Sequence, residues 1–278
     1  MIRLSAFADE ISPDLDEQIA VLTGENIHYL ELRGVWGVNV LDFTDEQVTS
    51  IKRALNAHGI GVSAIGSPIG KVPVDSSFAE HMQRFERAIQ LAHIFQTPYI
   101  RIFSFYPPAS RTTRTAPSEW RDEVHWRLRA LTVRAREEGI TLLHENEKDI
   151  YGDTIARCVD ILHSVNDEHF RAILDPANFI QCGQNPYPDA YETLRSWLSY
   201  IHVKDALPNG TVVAADEGAT NWPALLHQLH TDGYDGFFSL EPHLASAGQF
   251  QGFSGPALFR KASQALQGML REMGWEYA

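Results

Sequence analysis

The chain has 278 residues, 44% of them hydrophobic, enough for one large domain with a deep core or for two small ones. Its net charge of −13 repels phosphate backbones and anionic lipid, which argues against nucleic acid and membranes and leaves a small molecule as the expected partner. Cys158 and Cys182 are the only cysteines, so there is no disulfide framework to read, and two reduced thiols are expected.

The opening MIRLSAFADE turns acidic where a signal peptide would need its apolar stretch. No apolar run approaches the ~20 residues of a spanning helix. The expectation is a cytoplasmic protein, with self-association left open.

Short β-rich runs alternate with longer stretches of helical period from end to end. A first strand is expected over 4–8, followed at Ser12-Pro13 by a helix start with proline in the first turn and a stripe of Leu15, Ile19 and Leu22. A strand over 29–32 precedes a stripe of Val48, Ile51 and Leu55, and His58-Gly59 closes that helix before a strand over 61–65. Phe85, Ile89 and Ala92 lead to a strand over 99–103. Leu128, Leu131 and Ala135 lead through Glu138-Gly139 to a strand over 141–145. Ile155, Val159 and Leu162 precede a strand over 171–174, and the weakest helical pattern, within 187–195, precedes one over 200–203. Asn221-Trp222-Pro223 opens a helix carrying Leu225, Leu226 and Leu229. Asp232-Gly233 ends it before the last strand, over 236–240, and a final stripe of Leu258, Ala262 and Leu266.

Eight strand-then-helix units without a long linker predict one (β/α)₈ TIM barrel spanning 1–278 as a single domain. An open doubly wound sheet is the competitor. It lacks its Gly-rich fingerprint, because Phe7-Ala8-Asp9-Glu10 after the first strand is acidic and would repel a pyrophosphate.

In such barrels the functional groups stand at the C-terminal strand ends. Here strand five ends in His144-Glu145-Asn146-Glu147, strand six in Leu174-Asp175-Pro176, strand seven in His202-Val203-Lys204 and strand eight in Leu240-Glu241-Pro242-His243. Four successive strands thus deliver Glu145, Asp175, His202 and Glu241 to one rim. Three oxygen donors and one nitrogen donor suit one divalent ion, with Mn²⁺ first and Mg²⁺, Co²⁺ or Zn²⁺ as alternatives; no cysteine stands at a strand end to favour a thiolate metal. Without a cation, three such carboxylates would repel one another.

The successive runs FADEIS, ELRG, GSPIGK, RIFSF, HENEKDIYGD, LDPANF, HVKDA and LEPH resemble the xylose isomerase-like barrel superfamily of sugar-phosphate isomerases and epimerases, in order and over essentially the whole chain. The resemblance implies one metal held by Glu145, Asp175, His202 and Glu241, and it makes Glu145 and Glu241 the pair that exchanges a proton beside a carbonyl. A metal on adjacent carbonyl and hydroxyl oxygens acidifies the intervening C–H and stabilises an enediolate, so one glutamate can act as base and the other as acid. Three positions depart from the ketose 3-epimerases of that superfamily. Asn178 stands where a His is usual, Tyr151 where a second Glu is aligned, and Pro208 lies near the place of an arginine.

Further substrate contacts are expected from Lys71, Arg101, Glu147, Lys204 and His243. Lys204 shares a strand face with His202, and Glu147 shares one with Glu145. Arg101 is equally readable as a barrel-interior partner of a carboxylate. Trp36, Phe7 and Phe103 read either as an apolar wall for a sugar face or as plain core, the commoner place of strand-end aromatics; Glu31 and Glu217 are secondary candidates, and 252–256 before the last helix offers backbone N–H groups to a phosphate. The alternatives to an isomerase are a metal-dependent dehydratase or lyase acting on an inosose or keto-acid, an abasic-site endonuclease-like protein and a non-catalytic sugar binder. An endonuclease would need a basic surface and extra histidines from earlier strands, and neither is present.

Overall fold

The computed structural model describes residues 1–109, 116–245 and 253–278. Eight parallel strands form a nearly closed barrel with helices between them: β1 Arg3–Ala6, β2 Tyr29–Leu32, β3 Gly61–Ile65, β4 Tyr99–Ile102, β5 Thr141–Glu145, β6 Phe170–Leu174, β7 Leu198–Val203 and β8 Phe237–Leu240. From β2 to β8 each strand pairs with the next, and β8 returns to pair with β1. Between β1 and β2 no ladder joins the described residues, although the two strands lie side by side. That seam matters for the site.

The helices are α1 Leu15–Gly24, α2 Asp45–Ala57, α3 Phe78–Phe95, α4 Arg121–Glu137, α5 Ile155–Val165, α6 Pro176–Gln181, α7 Tyr191–Leu194, α8 Trp222–Thr231 and α9 Gly255–Glu272. Leu, Ile, Val and Phe from the outward strand faces meet the apolar helix stripes in one continuous core. Gly59, Gly139 and Gly233 take the left-handed conformation expected of helix ends. None of the described helices is long and apolar enough to cross a membrane.

The first helix differs from its sequence reading. Asp14, not Ser12, caps it by accepting from Glu17 N, so Pro13 lies before the helix. The segment after β6 also differs. Asp175 caps α6, with Pro176 in its first turn, while the region read as one helix over 187–195 is an irregular turn over Pro186–Ala190 followed by the single turn α7.

Two register shifts aim the interior side chains. One lies between Leu30 and Glu31, opposite Val62 and Ala64; the other lets Ala172 pair with Leu198 and Ile173 with Tyr200. Each leaves an extra residue, Ser63 or Ser199, and such bulges re-aim neighbouring side chains. The lower barrel is filled by Ala64, Leu143, Ile173, Tyr200 and Phe237, with Tyr29 and Tyr99 against them.

Candidate metal centre

Strand alternation carries the polar groups to the axis at the other end. Tyr200 and His202 are two residues apart on β7, and Lys204 follows on the same face. Glu145, Asp175, His202 and Glu241 are all buried, and one donor atom from each lies within 4.8 Å of all the others. His202 Nδ1 stands 3.5 Å from Glu145 Oε1, 3.8 Å from Asp175 Oδ2 and 3.4 Å from Glu241 Oε2. It makes no hydrogen bond there.

The other ring nitrogen explains the orientation. Glu31 Oε2 lies 3.1 Å from His202 Nε2, so a proton on Nε2 leaves the Nδ1 lone pair aimed at the three carboxylates. A carboxylate behind the ligating imidazole is the usual outer support of a histidine metal ligand. Burial alone would lower the His202 pKa, but the Glu145 and Glu31 carboxylates hold it well above its ordinary value. The pocket therefore demands positive charge at Nδ1, which a proton or a metal ion can supply. Buried acidic oxygens around one unpartnered imidazole nitrogen fit a divalent cation.

Neighbouring residues hold the donors in place. Asn146 clamps the ends of β5 and β6: its Nδ2 donates to Asp175 O at 2.9 Å, and its Oδ1 accepts from Asp175 N at 3.0 Å. Asn178, at the position of the usual histidine, donates through Nδ2 to Glu145 Oε1 at 3.1 Å. Arg101 Nη1 donates to Glu145 Oε2 at 3.0 Å, so it is the interior partner of a carboxylate. Burial pushes the Glu145 pKa up, but His202 and Arg101 outweigh it and hold the carboxyl at about 2. Lys204 Nζ reaches Asp175 Oδ2 at 2.7 Å and Glu241 Oε2 at 3.0 Å, which brings it into the centre itself.

The remaining predicted contacts lie around the rim. Lys71 Nζ is 2.7 Å from Glu147 Oε2 and sits over the Phe103 ring. Glu147 is raised above its ordinary value because burial outweighs the Lys71 ammonium. His243 Nε2 lies 3.0 Å from Glu10 Oε1 and 3.3 Å from Glu241 Oε1. Burial opposes its charge, but Glu10 pushes its pKa up to about 9.

The expected apolar wall is not open to a sugar. Phe7 is fully buried, with Arg33 and Arg101 over its ring and His202 against it edge-on, and Phe103 lies under Lys71 and Arg101. Trp36 stands in the turn between the short strands Gly34–Val35 and Val38–Asn39 and is 40% exposed. Tyr151 donates to Asp160 on α5, and Glu217 pairs with Lys261 on α9. Of the 252–256 loop, Gly252 lies outside the described residues, while Ser254 donates through Oγ to Glu10 Oε2.

Sequence reasoning missed Arg33, Glu10 and the role of Asn146. Arg33 Nη1 donates to Glu241 Oε1 at 3.1 Å, and its Nε donates to Asp9 Oδ2 at 2.7 Å.

A family model described as the xylose isomerase-like TIM barrel matches residues 26–269. The chain belongs to this family. No curated protein matches the sequence. Among solved structures, this xylose isomerase-like barrel is similar to a D-tagatose 3-epimerase-like protein at 16% identity and TM-score 0.77, with 98% of each chain covered. It is also similar to a probable 3-DHS dehydratase from Bacillus anthracis involved in petrobactin synthesis, at 16% identity and TM-score 0.75 over 96% of this chain and 99% of that one. A xylose isomerase-like protein from Mycobacterium smegmatis in complex with magnesium matches at 16% identity and TM-score 0.72 over 98% and 96%. At such identities the likeness is one of fold, and the chemistry rests on the centre.

Proposed function

We propose that the chain is a divalent-metal-dependent isomerase or epimerase acting on a sugar or sugar phosphate, with Mn²⁺ as the preferred ion. The observation that carries this reading is the buried His202 Nδ1, held by Glu31 behind it and facing Glu145, Asp175 and Glu241 without a hydrogen bond. These four residues would hold the ion, whose Lewis acidity would weaken the C–H between a bound carbonyl and hydroxyl.

The chain's own groups supply the rest. Glu145 and Glu241 come from β5 and β8 with β6 and β7 between them, so their carboxylates approach a substrate from different sides. One accepts the proton from carbon and the other returns a proton to the neighbouring carbon or to the opposite face. The Lys204 ammonium donates hydrogen bonds to substrate oxygen and limits the negative charge that builds there. Lys71, Glu147 and His243 bind hydroxyl or phosphate oxygens at the rim, and Arg101 keeps Glu145 in place.

Ketoses, their phosphates, inososes and keto-acids incubated with the Mn²⁺-loaded protein in D₂O provide the test. The expected result is deuterium at a carbon beside the carbonyl of one substrate class, abolished by chelation and restored by Mn²⁺. Exchange that survives in verified metal-free protein would reject the reading.

A dehydratase is the second reading. It is favoured by the turn of Tyr151 away to Asp160 and by the similarity in fold to the probable dehydratase. A glutamate would take the proton from carbon, the neighbouring C–O bond would break, and Lys204 would protonate the departing hydroxide to water. Loss of water in the same screen identifies it.

A further inference from the structure

The two oxygens of Glu241 have different company. Oε2 faces His202 Nδ1 at 3.4 Å and Lys204 Nζ at 3.0 Å, on the side of the metal centre. Oε1 accepts from Arg33 Nη1 at 3.1 Å and lies 3.3 Å from His243 Nε2. Glu145 is divided the same way, with Oε1 toward His202 and Oε2 on Arg101. A carboxylate bound to an arginine through one oxygen cannot close both oxygens on an ion without giving up that bond.

Arg33 is itself held from several directions. Its Nε donates to Asp9 Oδ2 at 2.7 Å, Nη2 is 3.7 Å from Glu10 Oε1, and the guanidinium lies 4.4 Å from the centroid of the Phe7 ring. Phe7 in turn packs edge-on against His202. Two glycines make the space. A Cβ at Gly34 would come within 3.3 Å of Asp9 Oδ2, and one at Gly66 would stand 3.1 Å from both Arg33 Cβ and Phe7 Cε1. Asp9 and Glu10 follow β1, while Arg33 follows β2. The arginine thus spans the seam where no ladder joins these strands and carries the brace on to the end of β8.

We infer that Arg33 is a positioning residue that holds Glu241 with one oxygen toward the metal centre and lowers the charge this carboxylate offers an ion. The inference rests on the metal reading above and adds a sign to it. A purely structural brace, when removed, loosens the centre and weakens metal binding. A charge-withdrawing brace does the opposite. Without the guanidinium, Glu241 Oε1 loses its arginine hydrogen bond and keeps only His243 at 3.3 Å and Arg101 at 3.9 Å, so it can turn toward an ion more easily, and Asp9 and Glu10 lose a cation beside the centre. Both changes favour a divalent ion.

The experiment is an Mn²⁺ titration of metal-free wild type, Arg33→Met and Arg33→Lys at pH 8, with free Mn²⁺ followed by electron paramagnetic resonance and folding checked by circular dichroism. Arg33→Met is expected to bind Mn²⁺ about tenfold more tightly than wild type, the scale of one unit charge moved near a partly screened ion. Arg33→Lys keeps the charge but not the planar fork and is expected to stay within about threefold of wild type. In Co²⁺-loaded protein, the visible d–d bands should change in Arg33→Met, as they do when a carboxylate becomes bidentate. Affinity in folded Arg33→Met that is unchanged or weaker overturns the inference. If Arg33→Met does not fold, Arg33→Lys decides through the Co²⁺ bands: altered bands at unchanged Mn²⁺ affinity support the positioning role, and unaltered bands overturn it. Wild type that binds no Mn²⁺ would reject both this inference and the metal reading, whereas failure of the Arg33→Met shift alone leaves the metal reading standing.

Discussion

The same strands build two unlike ends. At the lower end β7 places Tyr200 among Ala64, Leu143, Ile173 and Phe237, and its hydroxyl closes a buried chain with Ser63 and Ser5 at 2.7 and 2.6 Å. Two residues later the same face places His202 among carboxylates, and two beyond that comes Lys204. In the lower layer the Tyr200, Ser63 and Ser5 hydroxyls satisfy one another. The upper layer buries Glu31, Glu145, Asp175 and Glu241 together and leaves His202 Nδ1 without a hydrogen bond.

This division can be broken from either side. The largest effect is expected at the lower end, where Phe237→Ala opens a cavity in the aromatic layer and should cost ~3–5 kcal/mol of stability. Denaturant unfolding measures that loss, and metal binding by the fraction that remains folded should be unchanged. A Phe237→Ala protein of normal stability but altered Mn²⁺ affinity would show that the two ends are not separable.

Acid should strike the upper end. His81 on α3 accepts from Gly70 N at 3.1 Å beneath the loop that carries Lys71. Burial, with Arg127 and Arg84 nearby, lowers its pKa to about 4. The folded form excludes a proton that the unfolded chain binds below about 6.5. Stability is therefore fully present above that pH and is lost as pH falls from about 6.5 toward 4, by on the order of 3 kcal/mol. His81→Gln keeps an acceptor and does not titrate, so its melting temperature should fall less over this range than that of wild type. Parallel pH profiles for the two proteins would remove His81 from the account.

The proposed proton-exchanging pair comes next in size. Glu145→Gln and Glu241→Gln, each assayed at saturating Mn²⁺ on the substrate found in the D₂O screen, should lower kcat by ~10²-fold, about 2.7 kcal/mol in barrier. Stability should fall, since each variant removes a carboxylate that buried cations hold ionised, Arg101 and His202 beside Glu145 and Lys204 and His243 beside Glu241. Near wild-type turnover in either variant would reject its role in proton transfer.

Much of this arrangement was legible along the chain, for a physical reason. A parallel barrel sends every strand's C-terminal end to one rim, so Glu145, Asp175, His202 and Glu241 could be gathered by strand order and parity alone. Lys204 followed from its spacing to His202. The supports were hidden because they cross the barrel. Glu31 is 171 positions from His202, and Arg33 is 208 from Glu241, and no local pattern says which strands meet at the seam. Asp9 and Glu10 were legible only as acidity that disfavours a pyrophosphate, since their pairing with Arg33 depends on that seam. Phe7 and Phe103 could be read from the sequence as core or as an open aromatic wall, and the cations above them, which a sequence does not show, decide for core. At the end of β6 the helix α6 that Asp175 caps has only six residues, too few to show a period.

The central claim is that the upper end exists to hold a divalent ion. Metal-free protein titrated with Mn²⁺ tests it most directly, alongside His202→Gln and Asp175→Asn. A single ion per wild-type chain is expected, with a loss of affinity in both variants beyond the ~10–100-fold typical of outer-sphere partners. Absence of saturable binding, or binding that both variants leave unchanged, would contradict it.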